Sequence, residues 1–520
     1  MVKPRGWVSA NGNVVFYGLT AILSLTILYA ANAQELTVRN QRDVVFMDPA
    51  HITTSSDYTV AVNIYSALLR FNLKSMEPEA DLAKSWEISP DGLTYTFYLR
   101  DDVYWHKGYG KFTARDVKYS FDRIMDPKTR SRYRSDFISV KGVEALGAST
   151  VKIHFKTPDM SFVRKVLYYR PGYIVNQKAI ETLGSNYNSG PIGTGPFIFD
   201  RWEPGSKVVL TANREYFLGA PKLKKITFLV INEEAVAQMA LETGELDIAM
   251  FSSLENLEGL KGGPQVRSGR LIFKNETPLR ISYLVMNNCR KPFDDIRVRQ
   301  AIHHAINKDS LIAASYSGMA KRAVNFLNPG YFGYKPDVKV YDYDPVRAKK
   351  LLAEAGFATG FETSLLYYST EPWKTHAPII QDQLRQVGVR MTLSMLDRAT
   401  VEQMRQKGNF DLLSANLSRP PDPDIVFSTY FQSGNIPYPN LACYKNKEVD
   451  DLIVLGNRER NTDRRKKIYY RIQDIIAEET PVVPIDYGSD FVAHKPYVKG
   501  FVYSPLADYM LHDVYIEGKK

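Results

Sequence analysis

Residues 82–117 read LAKSWEISPDGLTYTFYLRDDVYWHKGYGKFTARDV. Within this stretch Leu93, Tyr95, Phe97 and Leu99 alternate with Thr94, Thr96, Tyr98 and Arg100. That period of two predicts a strand with one buried face. Thr113 and Asp116 stand three apart, the spacing of a capping box, so a helix is expected to open there. Val117, Phe121 and Ile124 then fall on one face of that helix. Trp86 and Trp105 are expected to serve the core of the same unit. Val151, Ile153 and Phe155 predict a further alternating strand.

Outward from this stretch the chain keeps a mixed character. Val298, Ala301, Ile302, Ala305 and Ile306 follow helical spacing. Asp344, Pro345 and Gly356 supply a cap, a first-turn proline and a stop for another helix. Val389, Met391, Leu393 and Met395 alternate as a strand, and 410–416 is a second candidate. Ile468, Ile472, Ile475 and Ile476 mark a late helix before Pro481. Helices alternating with strands beyond about residue 280 imply an α/β fold with ligand chemistry at strand ends.

The chain has 520 residues, two cysteines and a formal charge of +10, with 44% hydrophobic and 24% charged residues. This composition excludes wholesale disorder and a disulfide-stapled miniature. The length exceeds the roughly 250–300 residues at which single cores stop growing, so two or three domains are expected. The basic excess is thin for so long a chain and no basic arm is present, so no nucleic-acid partner is expected.

Lys3 and Arg5, an apolar run from Val14 to Leu28, and Ala31-Asn32-Ala33 read as a signal peptide cleaved after Ala33. The apolar run is shorter than the ~20 residues that span a bilayer. The mature protein is therefore expected to be exported and soluble. In an oxidising compartment Cys289 and Cys443 are candidates for a disulfide, the alternative being two buried free thiols.

Catalytic signatures are missing. There is no P-loop, no H-E-x-x-H and no G-x-S-x-G. Gly193-Thr194-Gly195 runs into Pro196 and a strand, not into a phosphate-binding helix. His303 and His304 are adjacent and would point about 100° apart on a helix, which is wrong for a shared metal. Arg464–Lys467 reads as a solvated helix face. No enzyme activity, cofactor or metal is expected.

Several segments in order resemble the bacterial extracellular solute-binding proteins of family 5, which include dipeptide-, oligopeptide- and nickel-binding components of ABC importers. They are the opening stretch, with its Trp86, its strand ending Leu99-Arg100 and its Thr113-Ala114-Arg115-Asp116-Val117 helix start. Gly193–Phe197, Gly244–Ile248, Pro292–Asp295 with Arg297–Ile302, Tyr343–Pro345, and Cys443-Tyr444 leading to Asp450–Ile453 follow. The resemblance implies a two-lobed periplasmic binding protein (type II, cluster C) with an extra domain and a hinged interlobe cleft. It places lobe 1 at 34–70, 190–282 and 490–520, the extra domain at 71–189, and lobe 2 at 283–489. It also implies delivery of the ligand to a membrane permease by a monomer.

The resemblance also marks a departure. Peptide binders of this family carry an Asp four residues before the Pro of an Asp-Pro pair, and it holds the peptide ammonium. Here Asp422-Pro423 is preceded at that spacing by Arg419, and the family's Trp is Asn416. A guanidinium there repels an ammonium and suits a carboxylate or phosphate. An anionic, hydroxyl-rich ligand is therefore expected, a sugar-phosphate opine such as agrocinopine first, with a di- or oligopeptide as the alternative. Ser418 joins Arg419 and Asn416 as a candidate contact. By family position the other candidates are His51, Thr53, Thr54 and Ser55 in the loop after the first strand, with Asn287 and Asn288 at the end of a lobe 2 strand. Trp373 is the candidate stacking ring, and Tyr509 and His512 lie in the last segment.

Overall fold

The computed structural model describes residues 34–519 apart from 168–169, 252–257 and 507–508. The expected signal peptide and its cleavage point lie outside the described residues. No helix among the described residues is long and apolar enough to cross a membrane.

Three sheets organise the chain. The largest has seven strands in the order 272–276, 490–494, 248–251, 35–40, 225–230, 207–212 and 197–203. Its first strand in the chain, Glu35–Asn40, is central and runs parallel to its two neighbours. A second sheet has five strands in the order 389–396, 361–368, 412–418, 280–286 and 482–486. A four-stranded antiparallel sheet is built from 83–88, 94–99, 150–155 and 140–146.

This last sheet realises the opening stretch of the sequence. Tyr95, Phe97 and Leu99 are buried, while Tyr98 is 42% exposed. The helix Ala114–Met125 begins at the Thr113–Asp116 capping box and buries Val117, Phe121 and Ile124. Trp105 is buried, and Trp86 packs at the margin of the same core. In the five-stranded sheet Val389 and Met391 are buried, but Met395 is 52% exposed. The alternation fails there because Val389–Leu396 is the edge strand. Gly193 and Gly195 have a packing role. A Cβ at Gly195 would lie 2.6 Å from the Ile64 carbonyl carbon, and Gly195 N–H donates to Ile64 O at 2.8 Å. The chain thus passes directly against the end of the helix Ser55–Ile64.

The two larger sheets are connected twice. The strand Ile272–Glu276 passes to Arg280–Met286, and Val482–Asp486 passes to Asp490–His494. Between the second pair Gly488 has φ +68°, and a Cβ there would lie 2.8 Å from Arg280 Nε. Asp486 accepts from Gly488 N–H at 2.8 Å and from Ser282 Oγ at 3.2 Å. Cys289 and Cys443 form a disulfide with Cα atoms 5.6 Å apart, across 154 residues of sequence.

The antiparallel sheet's unit also touches the unit of the five-stranded sheet. Met160 N–H donates to Asn457 O at 2.9 Å, and Arg460 donates to Pro90 O at 2.7 Å and Ile88 O at 3.1 Å. Arg465 makes a bidentate pair with Asp422 at 2.8 and 2.9 Å, both residues being buried. Arg465 therefore departs from the solvated face expected for Arg464–Lys467: the helix Thr462–Glu479 turns this one cation inward. The Arg164 guanidinium lies 4.0 Å from the same Asp422 and 5.1 Å over the Phe332 ring.

Removing one partner of a buried ion pair leaves the other charge uncompensated. Asp422→Asn is expected to cost about 3–5 kcal/mol in urea unfolding. A second prediction concerns Asp486, whose carboxyl is pushed up from 3.8 to about 6 by burial. The folded chain then binds this proton more tightly than the unfolded chain does. The associated stability is present below about pH 4 and lost as pH rises through about 6. Wild type is expected to lose on the order of 3 kcal/mol more than Asp486→Asn across that window, measured by urea unfolding at each pH.

Candidate functional site

The strand pair at the chain crossings sets the floor of a cavity between the two larger sheets. Its volume is ≈ 290 Å³. One wall comes from the central strand of the seven-stranded sheet and the first turns of the helix Ser55–Ile64, and contributes Arg39, Ser55, Ser56 and Thr59. The floor contributes Pro278, Arg280 and Asp490, the opposite sheet Ser418, and the last segment Tyr509. Arg170 completes the charged lining.

Charge is the distinctive property of this lining. Three arginines, Arg39, Arg170 and Arg280, meet one acid, Asp490. Asp490 is already engaged: Arg280 Nη2 lies 3.1 Å from one oxygen, and Tyr503 OH donates to the other at 2.8 Å. Arg39 is 2% exposed. Its Nε, Nη1 and Nη2 donate to Ile231 O, Met250 O and Asn232 O, each at 2.9 Å. Carbonyls fix this guanidinium without neutralising it, and burial lowers its pKa from the usual value. Arg170 donates to Thr53 O at 3.2 Å and lies 5.0 Å over the Tyr58 ring.

On the facing lobe the central strand Leu412–Ser418 is buried over its first half, whereas Asn416, Ser418 and the following Arg419 are exposed. An exposed polar end on a central strand is where open α/β sheets bind ligands. The Arg419 guanidinium donates to Tyr430 OH at 2.9 and 3.2 Å. It does not pair with Asp422, which Arg465 occupies, and Tyr469 OH donates to Asp424 at 3.2 Å. A second arginine, Arg405, donates to Tyr368 OH at 2.7 Å and pairs with Glu402 at 2.9 Å. Both arginines lie close enough to Tyr283 to act on its hydroxyl electrostatically.

The structure brings together only part of the candidate set. Ser55, Ser418 and Tyr509 line the cavity, and Asn416 and Arg419 adjoin it on the exposed end of the Ser418 strand. Thr53 takes part through its carbonyl, as the acceptor for Arg170. Thr54 is instead the helix cap, its hydroxyl accepting from Asp57 N–H at 3.1 Å. His51 turns against Phe46, with ring centroids 6.0 Å apart, and does not line the cavity.

Four further expectations are corrected. Trp373 is fully buried in the core of the five-stranded sheet's unit, so it presents no face for stacking, and its Nε1 reaches Asn416 Oδ1 at 3.2 Å. Asn287 and Asn288 follow the end of Arg280–Met286 that is remote from the crossing, about 20 Å along the strand from Arg280. Asn287 spends its amide on Gly408 O and Phe410 O. His512 lines a different cavity and contacts Gly219 O at 2.9 Å. Sequence reading missed Arg39, Arg170, Arg280 and Asp490. Their partners lie far off in sequence, 211 residues for Arg39 and Met250, and an isolated arginine in a strand carries no local signal. His303 and His304 contact Val482 O and Asp342 O, and no metal-binding cluster occurs among the described residues.

Comparison with known proteins places this cleft in a family. Heme-binding protein A of Haemophilus influenzae (strain ATCC 51907 / DSM 11121 / KW20 / Rd) is 29% identical over 91% of this chain and 90% of its own. The Helicobacter pylori periplasmic binding protein DppA, ABC transporter-associated and solved with the peptide STSA, is 30% identical. It superposes with TM-score 0.77 over 93% of this chain and 98% of its own. MoaA from A.tumefacien R10, solved with mannopinic acid, is 31% identical with TM-score 0.75 over 93% and 99%. The fold is that of the two-lobed periplasmic binding proteins, and the family description "Bacterial extracellular solute-binding proteins, family 5 Middle" matches residues 77–438. The chain belongs to the bacterial extracellular solute-binding proteins of family 5.

Proposed function

We propose that this protein is the periplasmic solute-binding component of an ABC importer and captures an anionic, hydroxyl-rich small molecule by closing its two lobes. The observation that supports the ligand class is the excess of two positive charges in the cavity lining, with Arg39 held on three backbone carbonyls and in no ion pair among the described residues, Glu233 and Glu234 acting on it only from a distance. A buried cation of this kind gains most from an anion brought in by the ligand. Arg419 and Ser418 supply the facing contacts, and Ser55, Ser56 and Thr59 offer hydroxyls for a polyol.

In this reading the lobes divide at the two crossings. Lobe 1 is 34–70, 190–282 and 490–520, lobe 2 is 283–489, and 71–189 is the extra domain. The exported chain begins after Ala33, acts as a monomer, and hands its ligand to a membrane permease without chemical change. Closure is driven by whatever affinity the ligand has for both walls together. A sugar-phosphate opine such as agrocinopine fits the charge and the hydroxyls. The relative solved with mannopinic acid supports an opine-type ligand, whereas the relative solved with a peptide supports the second reading, a di- or oligopeptide.

The test uses the small molecule that the exported protein carries, identified by native mass spectrometry and returned to stripped protein. Arg419→Ala is expected to weaken its binding by about 2–5 kcal/mol in isothermal titration. The unliganded variant should keep its melting temperature, because Arg419 lies on an exposed strand end. Unchanged affinity removes Arg419 from the site.

A further inference from the structure

A second cavity lies where the helix Ser55–Ile64, the chain from 65 to 81, Tyr173, Tyr216 and the closing segment meet, with a volume of ≈ 410 Å³. The helix Ser55–Ile64 separates it from the interlobe space. Ser55, Ser56 and Thr59 line the first cavity, and Tyr58 and Val62 line the second. The Tyr173 ring runs near-parallel to those of Tyr58 and Tyr65, with centroids 5.9 and 5.8 Å away. Tyr216 stands edge-on to His512 at 5.0 Å. The closing segment is tied down by Asn63, which donates to Tyr509 O at 2.7 Å and accepts from Leu511 N–H at 3.0 Å.

The wall of this cavity holds Asp81, 6% exposed. Its Oδ2 accepts from Ala67 N–H at 3.1 Å, while its Oδ1 has no hydrogen-bond partner. The two cations that act on Asp81, Arg70 and Arg100, are committed elsewhere. Arg70 pairs with Glu79 at 3.3 Å, and Arg100 Nε donates to the Asp81 carbonyl at 2.8 Å rather than to its carboxylate. No ion pair reaches Asp81 among the described residues. A carboxylate buried to this degree is costly unless it is protonated or meets a cation. Tyrosine faces in the same lining favour an organic cation, whose charge is attracted to the ring quadrupole. We propose that this cavity is a binding site for a small organic ammonium ion, with Asp81 as its counter-ion and Tyr58, Tyr173 and Tyr216 as its aromatic wall.

The pH dependence follows from the groups that face Asp81. Burial raises its carboxyl to about 6, against the lowering influence of Arg70 and Arg100. Tyr216 stays protonated, since burial and Asp81 both raise its pKa. Arg70, Lys74, Glu79, His512 and Asp513 also line the cavity, so two cations there face three carboxylates with Asp81 counted. Ammonium binding should therefore be present at pH 8 and lost at pH 5, where Asp81 is neutral.

The experiment measures melting temperature and isothermal titration of the full exported chain with choline, ethanolamine and putrescine, against sodium chloride at equal ionic strength. At pH 8 at least one probe is expected to raise the melting temperature saturably, and to bind at least tenfold more weakly at pH 5. Asp81→Asn is expected to lose the response, and Arg419→Ala to retain it, which keeps this site distinct from the interlobe one. The pH comparison on wild type stands even where Asp81→Asn does not fold. Absence of any probe-specific shift at pH 8, equal binding at both pH values, or an undiminished response in Asp81→Asn overturns the proposal.

Discussion

The two chain crossings between the larger sheets are the constraint on which the rest depends. Strands 272–276 and 280–286 belong to one crossing, and 482–486 and 490–494 to the other. Sheet order sets 490–494 beside 272–276, an edge strand of the seven-stranded sheet, and 280–286 beside 482–486, an edge strand of the five-stranded sheet. Arg280 is pinned there by Asp490 and Ser489 O, and Gly488 leaves room for its guanidinium where any side chain would not. Residues 277–279 and 487–489 are then the short segments that absorb a change of angle between lobes, as hinge residues do. The interlobe cavity opens from this floor, so the same residues that join the two sheets also set the charge of its lining.

In the proposed reading, that charge lets the family's architecture serve an anionic ligand without a different fold. Arg39 is held by three carbonyls on a central strand, a rigid source of positive potential that needs no rearrangement when an anion arrives. Arg419 is placed differently: its guanidinium rests on the Tyr430 hydroxyl at an exposed strand end, and in the proposed reading it meets the ligand from the facing lobe. A buried fixed cation and an exposed one then act on the ligand from the two walls. Meanwhile the carboxylates near Arg419 in sequence, Asp422 and Asp424, are spent on Arg465 and Tyr469 and do not cancel it.

Much of the fold was legible because its local signals agree with its tertiary burial. Tyr95, Phe97 and Leu99 face a core, and the Thr113–Asp116 box starts the helix that covers them. Asp344, Pro345 and Gly356 bound a helix running from Pro345 to Glu354. The Arg419 substitution was readable because it breaks a charge rule at a marked spacing. Other parts of the site were not readable, for physical reasons. Trp373 looks like a stacking ring in sequence, but whether an aromatic faces a cleft or a core is set by the neighbouring sheet. Asn287 and Asn288 end a strand, yet only topology tells which end of that strand meets the crossing. Arg39 and Asp490 gain their meaning from partners brought in by sheet formation.

In the proposed function an anion fills the interlobe cavity against arginines from both lobes. A crystal structure of the exported protein loaded with its co-purified ligand tests this most directly. Closed lobes are expected, with a carboxylate or phosphate of the ligand within hydrogen-bond distance of the Arg419 guanidinium, on the side of the cavity facing Arg39. A ligand ammonium against Arg419, or Arg419 left in solvent outside the closed lobes, contradicts this reading.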